Sequence, residues 1–302
     1  MLFTNTRLGS FAKDPAVEKF NGRYWLYYTV MQHDLKRIGV GIAVSEDMER
    51  WEDMGEMELT QECEKNGVGA PAAVVLGGRL HLFYQTYGNG RLDAICHAVT
   101  DDGTSFEKDG TNPVFRPTDD WCCGRAIDAD VVVREDRLML YFATRDHEMK
   151  IQKLGCAYAA IDSCFSRSDF RQAVIGSVLA PELKWEQQCI EAPAAVAAGG
   201  KIYMFYGGAY NCSPQQIGCA VSSDGIHFDR ISGEPFFRCG APGSWNASES
   251  GHPYAFRDDD GRVYLFFQGS PNNGRNWYIS RMEIDFGSDG MPFVKKVFDG
   301  AE

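Results

Sequence analysis

One hairpin pattern recurs five times along the chain. Each copy has an apolar run, a turn of Gly, Asn or Asp residues, and a second run rich in Tyr, Phe and Leu. The residues that precede the Arg or Lys opening each second run are Gly22, Gly78, Asp136, Gly200 and Gly261, so the copies are 56 to 64 residues apart. A near-constant period with one hairpin in each unit is typical of a repeat architecture.

A second half follows three of the hairpins. It consists of an apolar run, a turn of Ser, Thr, Asp or Gly residues, and an aromatic residue that opens a short strand, at residues 39–51, 95–106 and 217–228. Four strands in each of five units predict an all-β fold, a five-bladed β-propeller with four antiparallel strands per blade. A β-sandwich is the competing all-β fold, but it does not predict a repeat of this length.

The repeats fill the chain from residue 14 to about residue 286, without a Pro/Ser-rich linker between them. We therefore expect a single propeller domain over residues 1–302. A closed propeller usually completes its last blade with a terminal stretch. Two candidates remain open from the sequence, Leu2-Phe3 at the start and residues 294–298 at the end.

Composition limits the partners. The net charge of −12 and the pI of about 5.0 argue against nucleic acid, which is bound by basic surfaces. No apolar segment approaches the roughly 20 residues of a membrane span, and the first residues lack a signal-peptide pattern. The ten Cys form no Cys-x-x-Cys pair, so we expect reduced structural thiols and a cytoplasmic protein that binds no membrane.

Three acids stand where the first strand of a blade begins. They are Asp14 in blade one, Asp128 in blade three and Glu191 in blade four, whereas blade two has Ala70 and blade five has His252. Because equivalent positions surround the propeller axis, the three carboxyl groups should face one cavity. Like charges at close range raise one another's pKa values. Glycoside hydrolysis uses such a pair, one carboxylic acid that stays protonated and one carboxylate that stays ionised.

These motifs resemble the five-bladed propeller glycoside hydrolases of family 43 and, more loosely, the β-fructofuranosidases, mannoside phosphorylases and anhydro-galactosidases. The resemblance covers nearly the whole chain and implies a general base, a carboxylate that tunes the pKa of the acid, and a general acid. The corresponding residues are Asp14 in Lys13-Asp14-Pro15, Asp128 in Ile127-Asp128, and Glu191 in Ile190-Glu191-Ala192-Pro193. Asp130 competes with Asp128, because residues two apart share one face of a strand.

The resemblance further implies hydrolysis of a neutral glycan with inversion, by an α-L-arabinofuranosidase or a β-xylosidase. Inversion requires the carboxyl groups of Asp14 and Glu191 to stand about 6.5–9.5 Å apart. An ionised Asp128 would raise the pKa of Glu191, which would hold its proton near neutral pH. The alternatives are a related enzyme that acts on fructosides, galactosides or anhydro-galactosides, and a propeller that binds a glycan without cleaving it.

Other residues near the predicted mouth are candidates for substrate contact. They are Trp121, Arg145, His252 and Gln268, with Arg145 expected to hold Asp128 and a sugar hydroxyl together. No cofactor is expected to be required. Some members of the family hold a calcium ion with water and a His on the channel axis, so a structural calcium near His252 is a further expectation. The sequence leaves the oligomeric state open, and the expected partner is an oligosaccharide or glycoside.

Overall fold

The structure, a computed structural model, describes residues 2–32 and 36–299. The described residues form twenty β-strands in five four-stranded sheets, in each of which every strand pairs antiparallel with the next along the chain. Two short 3₁₀ turns, Glu62–Glu64 and Gly90–Leu92, lie in connections. The prediction of an all-β fold with four strands in each of five blades is therefore confirmed.

The blades follow one another in chain order. Blade one contains β1 (Lys13–Phe20), β2 (Arg23–Met31), β3 (Ile38–Ser45) and β4 (Glu52–Glu56), and blade two contains β5 (Val68–Leu76), β6 (Arg79–Thr86), β7 (Ile95–Thr100) and β8 (Glu107–Lys108). Blade three contains β9 (Ile127–Arg134), β10 (Arg137–Arg145), β11 (Gln152–Ala160) and β12 (Arg171–Gln172). Blade four contains β13 (Ile190–Ala198), β14 (Lys201–Gly208), β15 (Gln216–Ser222) and β16 (Asp229–Arg230), and blade five contains β17 (Glu249–Arg257), β18 (Val263–Ser270), β19 (Tyr278–Phe286) and β20 (Pro292–Val297).

The first strands of the blades contact one another in a closed ring around the axis, from β1 through β5, β9 and β13 to β17 and back to β1. The alternating aromatic runs of the second strands fill the space between sheets, with Trp25, Tyr84 and Phe142 almost completely buried. Burial of such side chains stabilises the stack of blades by roughly 1.5–3 kcal/mol for each large apolar group.

Buried tyrosines also connect neighbouring blades by hydrogen bonds. The hydroxyl groups of Tyr27 in blade one and Tyr141 in blade three donate to the carbonyls of Gly103 and Gly225, at 3.0 and 2.8 Å. Both glycines belong to the polar turn that follows the third strand of the next blade. The turn needs glycine for two reasons, a positive φ and close packing, because a Cβ on Gly103 would lie 2.6 Å from the Trp25 ring.

Both termini complete the last blade, which answers the question that the sequence left open. The strand β20 pairs with residues 282–286 of β19 and forms the outer edge of the sheet. Phe3 pairs with Ile279 at the other end of β19, and the two exchange backbone hydrogen bonds of 2.8 Å. The ends of the described chain therefore meet on one strand of blade five.

Every first strand carries a β-bulge near its start, and one residue in each bulge has a left-handed backbone. These ring residues have φ between +41° and +50°, and they are Asp14, Ala70, Asp128, Ala192 and His252. Bulges redirect side chains near functional sites, and left-handed non-glycine residues are uncommon. The ring residue of blade four is therefore Ala192. The comparison of the repeats predicted Glu191 at this position, but Glu191 is the residue before it.

Candidate active site

The three predicted acids line one open pocket of about 360 Å³ at a mouth of the channel. Asp14, Asp128 and Glu191 stand on its floor and are all at least nine-tenths buried. The remaining lining residues come from strand ends and from the loops beside them: Phe11, Lys13, Thr29, Ile38, Gln85, Tyr87, Arg125, Ile127, Arg145, Tyr210, Asn211 and His252. The sequence prediction that carboxyl groups of blades one, three and four converge is therefore confirmed by the geometry.

Glu191 is surrounded by hydrogen-bond donors. Its Oε2 accepts from the Gln152 side chain, and its Oε1 accepts from Gln215 at 2.7 Å, His252 at 3.1 Å and Asn211 at 3.3 Å. Burial alone would raise the pKa of Glu191, but the hydrogen bond and charge of His252 and the amide of Gln215 lower it below the usual value. Donors to the charged form favour ionisation, so Glu191 is a carboxylate in this state.

Asp128 has the opposite environment. Its Oδ2 is buried without a hydrogen-bond partner, although its backbone N–H is held by Gln85 at 2.7 Å. Burial, together with the charges of Glu191 and Asp14, outweighs the attraction of His252 and raises the pKa of Asp128 to about 7. Asp128 and Glu191 present oxygens within 4.8 Å of each other, so the two carboxyl groups titrate as a pair.

The expected order of these two pKa values is therefore wrong for the structure without substrate. The sequence analysis gave the raised pKa to Glu191 and the ionised form to Asp128. The reversal arises because Glu191 has four donors around it, and Asp128 has none on its side chain. The contacts of these amides with Glu191 could not be placed from sequence, because they are made between neighbouring blades and within the loops of the mouth.

Asp14 has an environment that favours its ionised form. Burial opposes its ionisation, but the charges of Lys13 and His252 hold the pKa of Asp14 well below its usual range. The Oδ1 atom lies 2.9 Å from Nδ1 of His252, and the backbone N–H of Asp14 donates to Oε1 of Gln268 at 2.9 Å. The carboxylate is thus ionised at neutral pH, and its Oδ1 makes a buried ion contact with His252 that lacks hydrogen-bond geometry.

Two of the predicted substrate contacts lie outside the pocket wall. Gln268 is completely buried behind Asp14, where it accepts the backbone N–H of Asp14 and donates to Glu249 at 2.5 Å. Trp121 is absent from the pocket wall, because its ring packs against Phe142 inside blade three, with a centroid separation of 6.4 Å. Both residues support the blades and do not face the mouth.

Arg145 lines the pocket as predicted, but it does not hold Asp128. Its Nε donates to Oε1 of Gln152 at 2.6 Å, and its guanidinium lies 5.2 Å from the centre of the Tyr210 ring. Arg145 thus orients the glutamine that binds Glu191. The arginine whose charge acts on Asp128 is Arg125.

Besides Gln152, Gln215 and Arg125, sequence reasoning assigned no role to Lys13, Asn211 and Glu249, three further polar residues near the carboxyl groups. Lys13 donates to Oδ1 of Asn211 at 2.9 Å and lies 4.5 Å from the centre of the Trp277 ring. The Nδ2 atom of Asn211 lies 3.4 Å from Oε1 of Glu249, a buried carboxyl group whose pKa burial raises. Only Lys13 had a signal in the sequence, because it adjoins Asp14 at the start of the first repeat.

Asp130, the competitor of Asp128, lies outside the pocket wall. Its Oδ2 accepts the backbone N–H of Ala195 at 2.6 Å, and burial raises the pKa of Asp130 to about 8. The rule that residues two apart share a face fails here, because the bulge at Asp128 interrupts the alternation of β9.

The calcium expected near His252 finds no suitable ligand set. Among the described residues, Asp128, Glu191 and His252 are the group whose ligand atoms lie close enough for a metal. Calcium takes six to eight oxygen ligands, whereas this group offers two carboxyl groups and an imidazole. Both nitrogens of that imidazole already contact carboxylates. The residues present do not fit the ion.

Removal of divalent metal should leave catalysis intact. We expect enzyme treated with EDTA and then desalted to retain its kcat and its melting temperature, because the cations that balance the pocket are side chains, namely Lys13, Arg125 and His252. The check is a rate measurement before and after chelation, with added Ca²⁺ as the second arm. Loss of activity that Ca²⁺ restores would contradict this assignment.

Comparison with known proteins bears on the fold and on the class of enzyme. Residues 10–159 match the family model described as the glycosyl hydrolases family 32 N-terminal domain. A thermostable family-43 glycoside hydrolase matches at 21% identity with a TM-score of 0.78, covering 99% of this chain and 98% of that one. No curated protein matches the sequence.

Two further solved structures extend the comparison. An α-L-arabinofuranosidase from Lactobacillus brevis is 15% identical with a TM-score of 0.72, covering 93% of each chain. A family-32 β-fructofuranosidase from Bombyx mori is 16% identical with a TM-score of 0.72, covering 96% of this chain and 63% of that one. The structures establish the propeller fold, and the family model confirms the predicted class of enzyme, a glycoside hydrolase. No helix among the described residues has the length and apolarity of a membrane span.

Proposed function

We propose that the protein hydrolyses a neutral glycan with inversion at the anomeric carbon, as an α-L-arabinofuranosidase or a β-xylosidase. The observation that carries the proposal is the convergence of Asp14, Asp128 and Glu191 on the floor of one open pocket. A propeller that only binds a glycan does not need three buried carboxyl groups at one point, because like charges oppose one another.

In the proposed reaction Asp14 removes a proton from a water molecule, whose oxygen attacks the anomeric carbon. Glu191 protonates the glycosidic oxygen as its bond to that carbon breaks. The imidazole of His252 lies between the two carboxyl groups and contacts one of them through each ring nitrogen. This arrangement supports a separation of about 6.5–9.5 Å between the carboxyl groups, the range that inverting enzymes use.

Asp128 contributes through the electrostatic coupling of its carboxyl group to that of Glu191. In the free enzyme the pKa of Asp128 is raised to about 7, so this carboxyl group is partly ionised at neutral pH. A bound sugar excludes water and can displace the weak contact of Asn211 at 3.3 Å, which removes a donor from Glu191 and favours its protonated form. Asp128 then keeps the role of tuning the pKa of the acid.

A second candidate is fructoside hydrolysis at the same carboxyl groups. The family-32 match over residues 10–159 favours it, as does the similarity to the Bombyx mori β-fructofuranosidase. We also propose a cytoplasmic location, which the ten free thiols support.

A panel of aryl glycosides tests the function and names the sugar. The panel contains p-nitrophenyl α-L-arabinofuranoside, β-D-xyloside and β-D-galactoside, with sucrose and fructo-oligosaccharides to test for fructosides. We expect turnover of the arabinofuranoside or the xyloside. Turnover of the fructosides alone would support the second candidate, and binding of oligosaccharides without turnover of any substrate would refute hydrolysis.

A further inference from the structure

The imidazole of His252 lies between the two carboxyl groups that the proposed mechanism uses. Its Nδ1 is 2.9 Å from Oδ1 of Asp14, and its Nε2 is 3.1 Å from Oε1 of Glu191. The side chain is buried, and its backbone N–H donates to Oε1 of Gln215 at 3.2 Å. A neutral imidazole has one N–H for two carboxylates, whereas an imidazolium has one for each.

The surrounding charges favour the imidazolium. The carboxyl groups around the ring are Asp14 on β1, Asp128 on β9, Glu191 on β13, and Glu249 on the same strand as the ring, β17. They outnumber the one neighbouring cation, Lys13 on β1, which opposes a charged ring. Burial opposes the charged ring, but the charge and proximity of Asp14, the hydrogen bond to Glu191 and the charge of Asp128 raise the pKa of the imidazole well above its usual value. The ring therefore carries two protons at neutral pH.

We propose that His252 is a positioning residue, which holds Asp14 and Glu191 at their working separation and supplies the proton that Glu191 uses as the acid. This inference rests on the proposed hydrolysis. It assigns to His252 a role in the reaction, where the sequence analysis had considered only substrate contact or a metal. The geometry that carries it is the contact of each ring nitrogen with a different carboxylate.

The proton transfer is a single step across the 3.1 Å hydrogen bond. The N–H bond at Nε2 breaks and its electron pair stays on the nitrogen, while an O–H bond forms on Glu191. The ring becomes neutral and keeps the Nδ1–H that faces Asp14. Exclusion of water by the bound sugar favours this step, because a dry site destabilises the separated charges.

Proton exchange with solvent completes the catalytic cycle. Hydrolysis leaves Glu191 ionised and Asp14 carrying the proton from the attacking water. When the product leaves, Asp14 loses that proton to bulk water and Nε2 of His252 gains one. No net proton is consumed, and the imidazolium between two carboxylates is restored.

Replacement of His252 by Gln tests the role through the pH profile. The amide retains polar contact but cannot carry a proton. Without the cation the pKa of Asp14 rises, so the acidic limb of kcat/KM moves to higher pH. The basic limb moves to lower pH, because the acid proton is then held by a carboxyl group and not by an imidazolium. We expect kcat to fall about 10²-fold with little change in KM, and the bell-shaped pH profile of kcat/KM to become narrower on both sides.

A matched substitution separates this effect from a loss of folding. His81→Gln removes another imidazole, one that lies 3.0 Å from His97 in blade two and outside the pocket wall. This substitution should lower the melting temperature and leave both limbs of the pH profile of kcat/KM unchanged. A His252→Gln enzyme whose limbs match those of wild type would overturn the proposal while leaving the hydrolytic function intact.

The protonation state of the His252 imidazole can be measured without substrate turnover. In ¹⁵N-labelled wild-type protein at pH 7, we expect both nitrogens of His252 to show the shifts of protonated imidazolium, assigned by comparison with the His252→Gln spectrum. If that variant does not fold, assignment through backbone correlations in the wild-type protein replaces the comparison. A neutral ring would overturn the proposal even if every glycoside proves inactive.

Discussion

Glu191→Gln is expected to reduce kcat about 10³-fold on substrates with a poor leaving group, such as an oligosaccharide or a methyl glycoside. The amide cannot donate a proton in the way a carboxylic acid does. On a dinitrophenyl glycoside the loss should be much smaller, because that phenolate departs without protonation. The measurement is a plot of log kcat against leaving-group pKa for both enzymes, and the variant should show the steeper slope.

A buried carboxylate of the same blade provides the control for this variant. Glu186 is completely buried and accepts from Tyr206 at 2.7 Å and from Arg230 at 2.8 Å, but it does not line the pocket. Glu186→Gln should lower the melting temperature and preserve the slope of that plot. Equal slopes for wild type and Glu191→Gln would remove Glu191 from the role of acid.

Asp14→Asn is expected to reduce kcat about 10³-fold or more on every substrate, whatever the leaving group. The asparagine amide cannot accept the proton of the attacking water, and water attack is required in each case. The loss should therefore be parallel across the leaving-group series, which distinguishes a missing base from a missing acid. The measurement uses the same series of glycosides.

Asp258→Asn is the matched control for that variant. Asp258 is buried, accepts from the Tyr24 hydroxyl at 2.8 Å and lies outside the pocket wall. Its substitution should affect stability alone. If the loss of kcat in Asp14→Asn disappears on substrates with good leaving groups, Asp14 would be the acid and Glu191 the base, contrary to this assignment.

The fold was predictable because its signal repeats. Each blade contains the same hairpin, and a period of about sixty residues is visible before any strand is assigned. The position of Glu191 in the ring was misjudged because the comparison used the apolar runs. The proline that follows the ring residue is the better marker, since Asp14, Ala70, Ala192 and His252 all precede one.

The electrostatics of the site could not be predicted in the same way. Whether Glu191 or Asp128 is ionised depends on the amides of Gln152, Gln215 and Asn211. Gln152 and Gln215 occupy the same repeat position, two residues before Leu154 and Ile217, but the repeat does not show that both side chains reach Glu191. Blade packing also decides which polar residue faces the substrate, as Gln268 demonstrates. Sequence identified the carboxyl groups, and the contacts between blades determine their protonation.

The spacing between base and acid leads to one decisive stereochemical result. The configuration of the first sugar released, recorded by ¹H NMR before mutarotation on the glycoside that the panel selects, tests the central claim most directly. If Asp14 activates water on the face opposite the leaving group, the first product has the inverted anomeric configuration. A first product with retained configuration would require a carboxylate to attack the sugar, and would contradict the account.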